Sequence, residues 1–314
     1  MEDIMRDSSL KERLDEKIKI LSLEAWKDKV EGGDIALWLQ NFKQEECLDA
    51  SFLLSSFIYF DNNSVRELLR RAYQDLFMRP EIFKIRKGNS NTLDIGIIRS
   101  KYRAILDRTR FVNIGNPSES SAHLLYYYRQ ENDLPVQLFI NAHEIYTHEI
   151  VGDNIKTKLD VTNIDTLVFI EDFCGSGTQA TEYYDKFVKA IKNEYTNIRI
   201  VFHSLFATQT GYNVVKELGY DDVKTVFLLD ESFKCFSETS RFFKEDTDDL
   251  KNRCQILCTT HGENLYNSHP LGYKDGQLLI GFYHNTPNNT LPIFWSSSPN
   301  WRPIFKRYKK HDKL

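Results

Sequence analysis

One stretch limits what this 314-residue chain can fold into more than any other: Leu167-Val168-Phe169-Ile170-Glu171-Asp172-Phe173-Cys174-Gly175-Ser176-Gly177-Thr178-Gln179. Its apolar start does not alternate with polar residues, so it reads as a strand covered on both faces, as in a helix-flanked parallel sheet. Two acids close the strand, a glycine-punctuated turn follows, and Thr178 to Glu194 reads as a helix. Glycine numbers only 14 and proline 8 in the whole chain, so a Gly-Ser-Gly cluster here carries information.

The neighbouring sequence repeats the alternation. Phe111–Ile114, Pro135–Asn141, Thr166–Phe173, Ile198–Phe206 and Val223–Leu229 read as strands, and Gln277–His284 as a later one. Ser118–Gln130, Thr178–Glu194 and Gly211–Leu218 read as helices between them. Strands alternating with helices predict an α/β parallel sheet with flanking helices. The first part of the chain differs. Lys11–Ile20, Ile35–Phe42, Glu45–Phe57 and Val65–Phe77 read as helices, the last with Val65, Leu68, Leu69, Ala72, Tyr73 and Leu76 on one face after an Asp61-Asn62-Asn63-Ser64 cap signal. Two helices across a short polar turn fit a helix-turn-helix or winged-helix element, or a plain helical packing domain. The polar run Lys84–Thr92 reads as a linker, which predicts a helical domain over 1–94 and an α/β domain over 95–314.

The chemistry concentrates at the end of the Thr166–Phe173 strand. Ligands of open α/β sheets bind beyond the carboxyl ends of strands. Glycines let backbone N–H groups approach a phosphate, and a helix N-terminus adds positive potential. Gly175, Ser176, Gly177, Thr178 and Gln179 therefore form a candidate phosphate loop, with Glu171 and Asp172 placed for a sugar diol or for hydrated Mg²⁺, which takes oxygen ligands and keeps several waters.

This pattern resembles the phosphoribosyl-diphosphate (PRPP) motif of type I phosphoribosyltransferases: apolar residues, two acids, a hydroxyl–glycine pair, then a helix. Glu171-Asp172 match the acidic pair and Ser176-Gly177 the hydroxyl–glycine pair. Gly175 and Gln179 depart from the usual loop residues, which points away from ordinary base-salvage activity. The family's upstream pyrophosphate loop has a counterpart in Phe111–Ser121, with Ser118, Ser120 and Ser121 as candidate pyrophosphate ligands, although serines at a helix start are also common caps. The chain further resembles a divergent branch of this superfamily found in bacterial antiphage and conflict systems, including retron-linked ones. Trp38–Phe42, Tyr126–Asn132, Pro270–Gly272, His284–Pro292, Trp295 and Trp301–Arg307 carry that likeness. The resemblance implies a type I phosphoribosyltransferase-like fold, PRPP or another ribose-phosphate nucleotide as ligand, Mg as cofactor, and a (phospho)ribosyltransferase effector or a catalytically inactive nucleotide sensor. A defence-system protein is the macromolecular partner it implies.

Other signals stay open or fall away. His261, after an apolar Cys254–Cys258 run read as a strand, together with His284 and Trp295, are candidates for a base pocket, or for turns and core. Arg129 reads as added charge at the site or as surface. His143 and His148 are five apart, so on a helix they sit about 140° apart and do not share one zinc face. The basic end from Trp301 to Lys313 suits RNA, DNA or an acidic partner, or plain solvation.

Composition limits the class. Forty-one Lys and Arg oppose 45 Asp and Glu, for a net charge of −4, which excludes a generally basic nucleic-acid coat. Five cysteines without a CxxC pair suggest reduced thiols. The longest apolar run, Phe52–Phe60, is broken by Ser55 and Ser56 and is too short to cross a bilayer, and the acidic start lacks a signal-peptide core. The expectation is a cytoplasmic protein with no membrane contact.

Overall fold

The computed structural model describes residues 2–26, 29–114, 120–151, 154–159, 163–243 and 248–308. In chain order the helices are α1 (Glu2–Glu24), α2 (Gly32–Leu39), α3 (Cys47–Ser55), α4 (Asn62–Arg71), α5 (Arg79–Lys87), α6 (Ile95–Asp107), α7 (Ser120–Glu131), α8 (Thr178–Tyr183), α9 (Lys189–Glu194), α10 (Gln209–Lys216), α11 (Asp248–Leu265) and α12 (Pro292–Trp295). The strands are β1 (Ile58–Phe60), β2 (Thr109–Asn113), β3 (Phe139–Ile140), β4 (Tyr146–Val151), β5 (Asn154–Leu159), β6 (Thr166–Cys174), β7 (Arg199–Thr208), β8 (Asp222–Leu229) and β9 (Ile280–Phe282). Wider-wound π-helical segments join α4 to α5 (Ala72–Met78) and α8 to α9 (Tyr184–Val188), so each pair is one continuous helical run.

The chain forms two compact units, residues 66–228 and a discontinuous unit of 1–65 with 229–314. The sequence boundary near residue 95 differs from this division. Lys84–Thr92 is the end of α5 and its turn into α6, pinned where Arg86 Nε donates to the Thr92 carbonyl (3.1 Å) and Lys101 Nζ to Asn89 Oδ1 (2.6 Å). Asp94 then caps α6 by accepting the Ile97 N–H at 3.1 Å. A polar, turn-rich run is thus an intra-unit corner here.

The 66–228 unit holds a five-stranded sheet in the order β3-β2-β6-β7-β8. Its β3–β2, β2–β6 and β6–β7 pairs are parallel. Register places Val112, Phe169 and Phe202 side by side. These pack with Ala180, Tyr183, Val188 and Ile191 of the α8–α9 run on one face. On the other face Phe111 meets Tyr128 of α7 and Phe77 of the α4–α5 run, each at 5.4 Å between ring centroids. Cover on both faces explains the unbroken apolar strand. Of the expected Pro135–Asn141 strand, only Phe139–Ile140 pairs, after a short 3-10 turn over Val136–Leu138. The β4–β5 pair is antiparallel.

The other unit packs Trp26, Trp38, Phe57, Cys254, Leu257, Cys258, Phe294 and Phe305 into one core. The expectation of a strand at Cys254–Cys258 is corrected: these residues lie in α11, where Cys254, Leu257 and Cys258 share the buried face at spacings of three and four. The expected Gln277–His284 strand is reduced to β9, which pairs in parallel with β1 from Ile58↔Ile280 to Phe60↔Phe282. Among the described residues no helix is long and apolar enough to cross a membrane.

Candidate functional site

The site candidate lies at the carboxyl end of β6. Strand β6 runs between β2 and β7, pairing with β2 as far as Ile170 and with β7 on through Cys174. Glu171 pairs in register with Ser204 and is 4% exposed, whereas the adjacent Asp172 is half-buried. Asp172 Oδ1 accepts the Phe173 N–H at 2.9 Å, which fixes the carboxylate at the turn. Strict alternation would put Cys174 on the face opposite Glu171. Cys174 instead joins Leu167 and Phe169 in the same core cluster, so the pleat changes phase across Asp172–Phe173. The Cys174 thiol is pushed well above its ordinary range by burial and then by the Glu171 charge, against a backbone hydrogen bond from Gly177. It is no thiolate nucleophile.

The loop that follows is built as a cradle. Gly177 has φ +74°, a left-handed conformation that glycine adopts freely. A Cβ there would lie 2.7 Å from Val214 Cγ1 of α10. Ser176 Oγ and Thr178 Oγ1 are 2.9 Å apart, and Thr181 Oγ1 closes the first helical turn on the Gly177 carbonyl at 2.9 Å. Ser176, Thr178 and Gln179 are half-buried at the start of the α8–α9 run.

The structure brings together Glu171, Asp172, Gly175, Ser176, Gly177, Thr178 and Gln179. Ser118 lies outside the described residues, as do the side chains of Ser120 and Ser121, whose backbone opens α7. Arg129 stacks its guanidinium over Tyr126 at 5.6 Å. His261, His284 and Trp295 lie in the other unit, each engaged there. His261 Nε2 is 3.2 Å from Glu46 and its ring packs on Phe42 and Trp301. His284 stacks on Phe282 at 5.7 Å, and buried Trp295 donates to the Thr290 carbonyl at 2.7 Å. His143 and His148 fall in a 3-10 turn and in β4, not on a helix. Lys309 to Leu314 lie outside the described residues.

Sequence reasoning missed the support beneath the loop. Thr208 ends β7 and caps α10: its Oγ1 accepts the Gly211 N–H at 3.0 Å and donates to the Gly175 carbonyl at 2.5 Å. Gly211 lies so close that a Cβ would be 2.4 Å from the Gly175 oxygen. The signal was a Thr-x-x-Gly-x-x-Val spacing directly after a buried strand, Thr208, Gly211 and Val214.

A family model, PRTase-CE, matches residues 35–307. The chain belongs to the PRTase-CE family. Its match takes in both units and the whole of the β6 loop. The fold is the α/β sheet with flanking helices that the sequence predicts. Similar solved structures include the orotate phosphoribosyltransferase from Aeropyrum pernix, at 9% identity and TM-score 0.25, with 40% of this chain and 64% of that chain covered. The Helicobacter pylori xanthine-guanine-hypoxanthine phosphoribosyltransferase is similar at 10% identity and TM-score 0.24, over 62% of this chain and 99% of that one. No curated protein matches the chain.

Proposed function

We propose that the β6 loop of this PRTase-CE protein binds PRPP or another ribose-phosphate nucleotide with Mg²⁺ and transfers or cleaves its ribosyl group. The observation that carries this reading is the strand end itself: an acidic pair on a central parallel strand, followed by a left-handed Gly177 turn into a helix. In this reading the backbone and hydroxyls of Gly175–Thr178, with Gln179, take the 5′-phosphate. Asp172 faces the ribose hydroxyls, with Glu171 behind it at the strand end. Ser118, Ser120 and Ser121 are assigned the pyrophosphate by the resemblance of their loop alone.

The donor set suits Mg²⁺. Asp172 and Glu171 offer hard carboxylate oxygens. Mg²⁺ is commonly held in that way, by one or two carboxylates plus substrate phosphates and waters. Held by these carboxylates, the ion would supply charge neutralisation for a pyrophosphate leaving group. The chain's own contribution is positioning and electrostatics. The loop fixes the phosphate end of the ligand, and the carboxylate of Asp172 stabilises positive charge developing at the anomeric carbon.

Membership of a bacterial antiphage system is part of the same proposal, on the resemblance carried by Trp38–Phe42, Tyr126–Asn132 and His284–Pro292. A second reading, a nucleotide sensor without turnover, is favoured by one observation: Glu171 is buried to 4% exposure, so one acid of the pair faces inward. ³¹P NMR with PRPP and Mg²⁺, with and without cell extract, separates the two. Pyrophosphate release that vanishes in Asp172→Asn supports the transferase; line broadening without turnover supports the sensor. Unchanged resonances in every sample remove PRPP as the ligand.

A further inference from the structure

Three residues of α10 and its cap lie against the β6 loop at a spacing of three: Thr208, Gly211 and Val214. Each meets a different part of that loop. The Thr208 hydroxyl donates to the Gly175 carbonyl, Gly211 leaves room for the Cys174 and Gly175 carbonyls, and Val214 closes on Gly177. An ordinary cap needs only the acceptor half of this arrangement, Thr208 Oγ1 receiving the Gly211 N–H. The second bond, to Gly175, gives nothing to α10. It turns one peptide plane of the loop. With the carbonyl of Gly175 drawn down toward α10, the peptide N–H on the other end of that plane, belonging to Ser176, points away from α10.

We propose that Thr208 is a positioning residue of the ligand site: its hydroxyl sets the Gly175–Ser176 peptide so that the loop presents N–H groups to the phosphate. This rests on the reading of the β6 loop as a ribose-phosphate cradle. Thr208 acts through the loop backbone and touches no ligand. Gly211 belongs to the same device, because any side chain there forces the Gly175 carbonyl off the hydroxyl.

Loss of one such hydrogen bond corresponds to about a tenfold change in affinity. The test compares Thr208→Val, Thr208→Ser and Gly211→Ala with Asp94→Ala, which removes the cap of α6 in the same unit without approaching the loop. Two readouts are taken on the full chain: Kd for PRPP with Mg²⁺, and hydrogen exchange of the Gly175–Thr178 amides. Thr208→Val and Gly211→Ala are expected to speed exchange in the loop and to weaken binding about tenfold, Thr208→Ser to restore both, and Asp94→Ala to leave both unchanged. Wild-type exchange in the Thr208→Val loop overturns the inference. So does equal loss of binding in Thr208→Val and Asp94→Ala, which would mean destabilisation alone. If the wild-type protein binds no PRPP, the exchange readout still decides on Thr208, and only the ligand assignment fails.

Discussion

Trp38 and Trp301, from opposite ends of the chain, donate their indole N–H groups to the same acceptor, the Ile293 carbonyl, at 2.9 and 3.1 Å. Trp38 is 1% exposed and stacks on Phe294, while both indoles sit edge-on to Phe42. A single buried carbonyl thus ties α2 and the C-terminal segment to α12.

Because Ile293 keeps one donor when either indole is replaced, Trp38→Phe and Trp301→Phe should each cost about 1 kcal/mol for the lost bond, beyond packing. The double variant leaves a buried carbonyl unsatisfied. It should lose roughly 1–3 kcal/mol more than the sum of the singles. Urea unfolding of the four proteins measures this coupling, and strict additivity would contradict the shared-acceptor account.

Gly177 carries a different constraint. Gly177→Ala places a side chain at φ +74° and within 2.7 Å of Val214 Cγ1. The left-handed conformation alone costs roughly 1–2 kcal/mol. The melting temperature should fall, and shortening the neighbour in a Gly177→Ala/Val214→Ala variant should recover part of it. No recovery would show that Val214 is not what crowds the turn.

His203 gives the protein a pH dependence. Burial, with Lys224 and Arg199 adding to it and Asp222 opposing, pulls its imidazole down to about 3. An unfolded histidine titrates near about 6.5. Between these values the unfolded chain binds a proton that the folded chain refuses. Stability is therefore full above about 6.5 and falls as the pH drops toward the folded value, by up to about 1.4 kcal/mol per pH unit from this group. His203→Gln should flatten that slope in urea midpoints taken across the window. Identical slopes would mean that His203 is not the group responsible.

The β6 strand, its loop and the helix after it were legible because every signal is local: an unbroken apolar run, two acids, glycines at a turn, then a period near four. The division of the chain was not. Residues 1–65 and 229–314 meet through contacts with no sequence-adjacent signature, among them Ile58–Phe60 pairing with Ile280–Phe282 and the shared core of Trp26, Trp38 and Phe294. The Cys254–Cys258 run misled for a related reason. Five mostly apolar residues fit a strand or a helix face equally, and only the surrounding eighteen-residue α11 decides. Thr208 left only a local Thr-x-x-Gly-x-x-Val spacing in the sequence, while its role comes from a neighbour 33 positions away, Gly175.

Ribose-phosphate binding at the β6 loop can be measured on its own. Isothermal titration of PRPP with Mg²⁺ into the wild-type protein and into Gly177→Ala tests it most directly. Saturable one-site binding to the wild type is expected, lost in the variant while it is still folded as judged by circular dichroism. Equal binding by both proteins would place the ligand elsewhere, and no binding by either would contradict the assignment of the loop to PRPP.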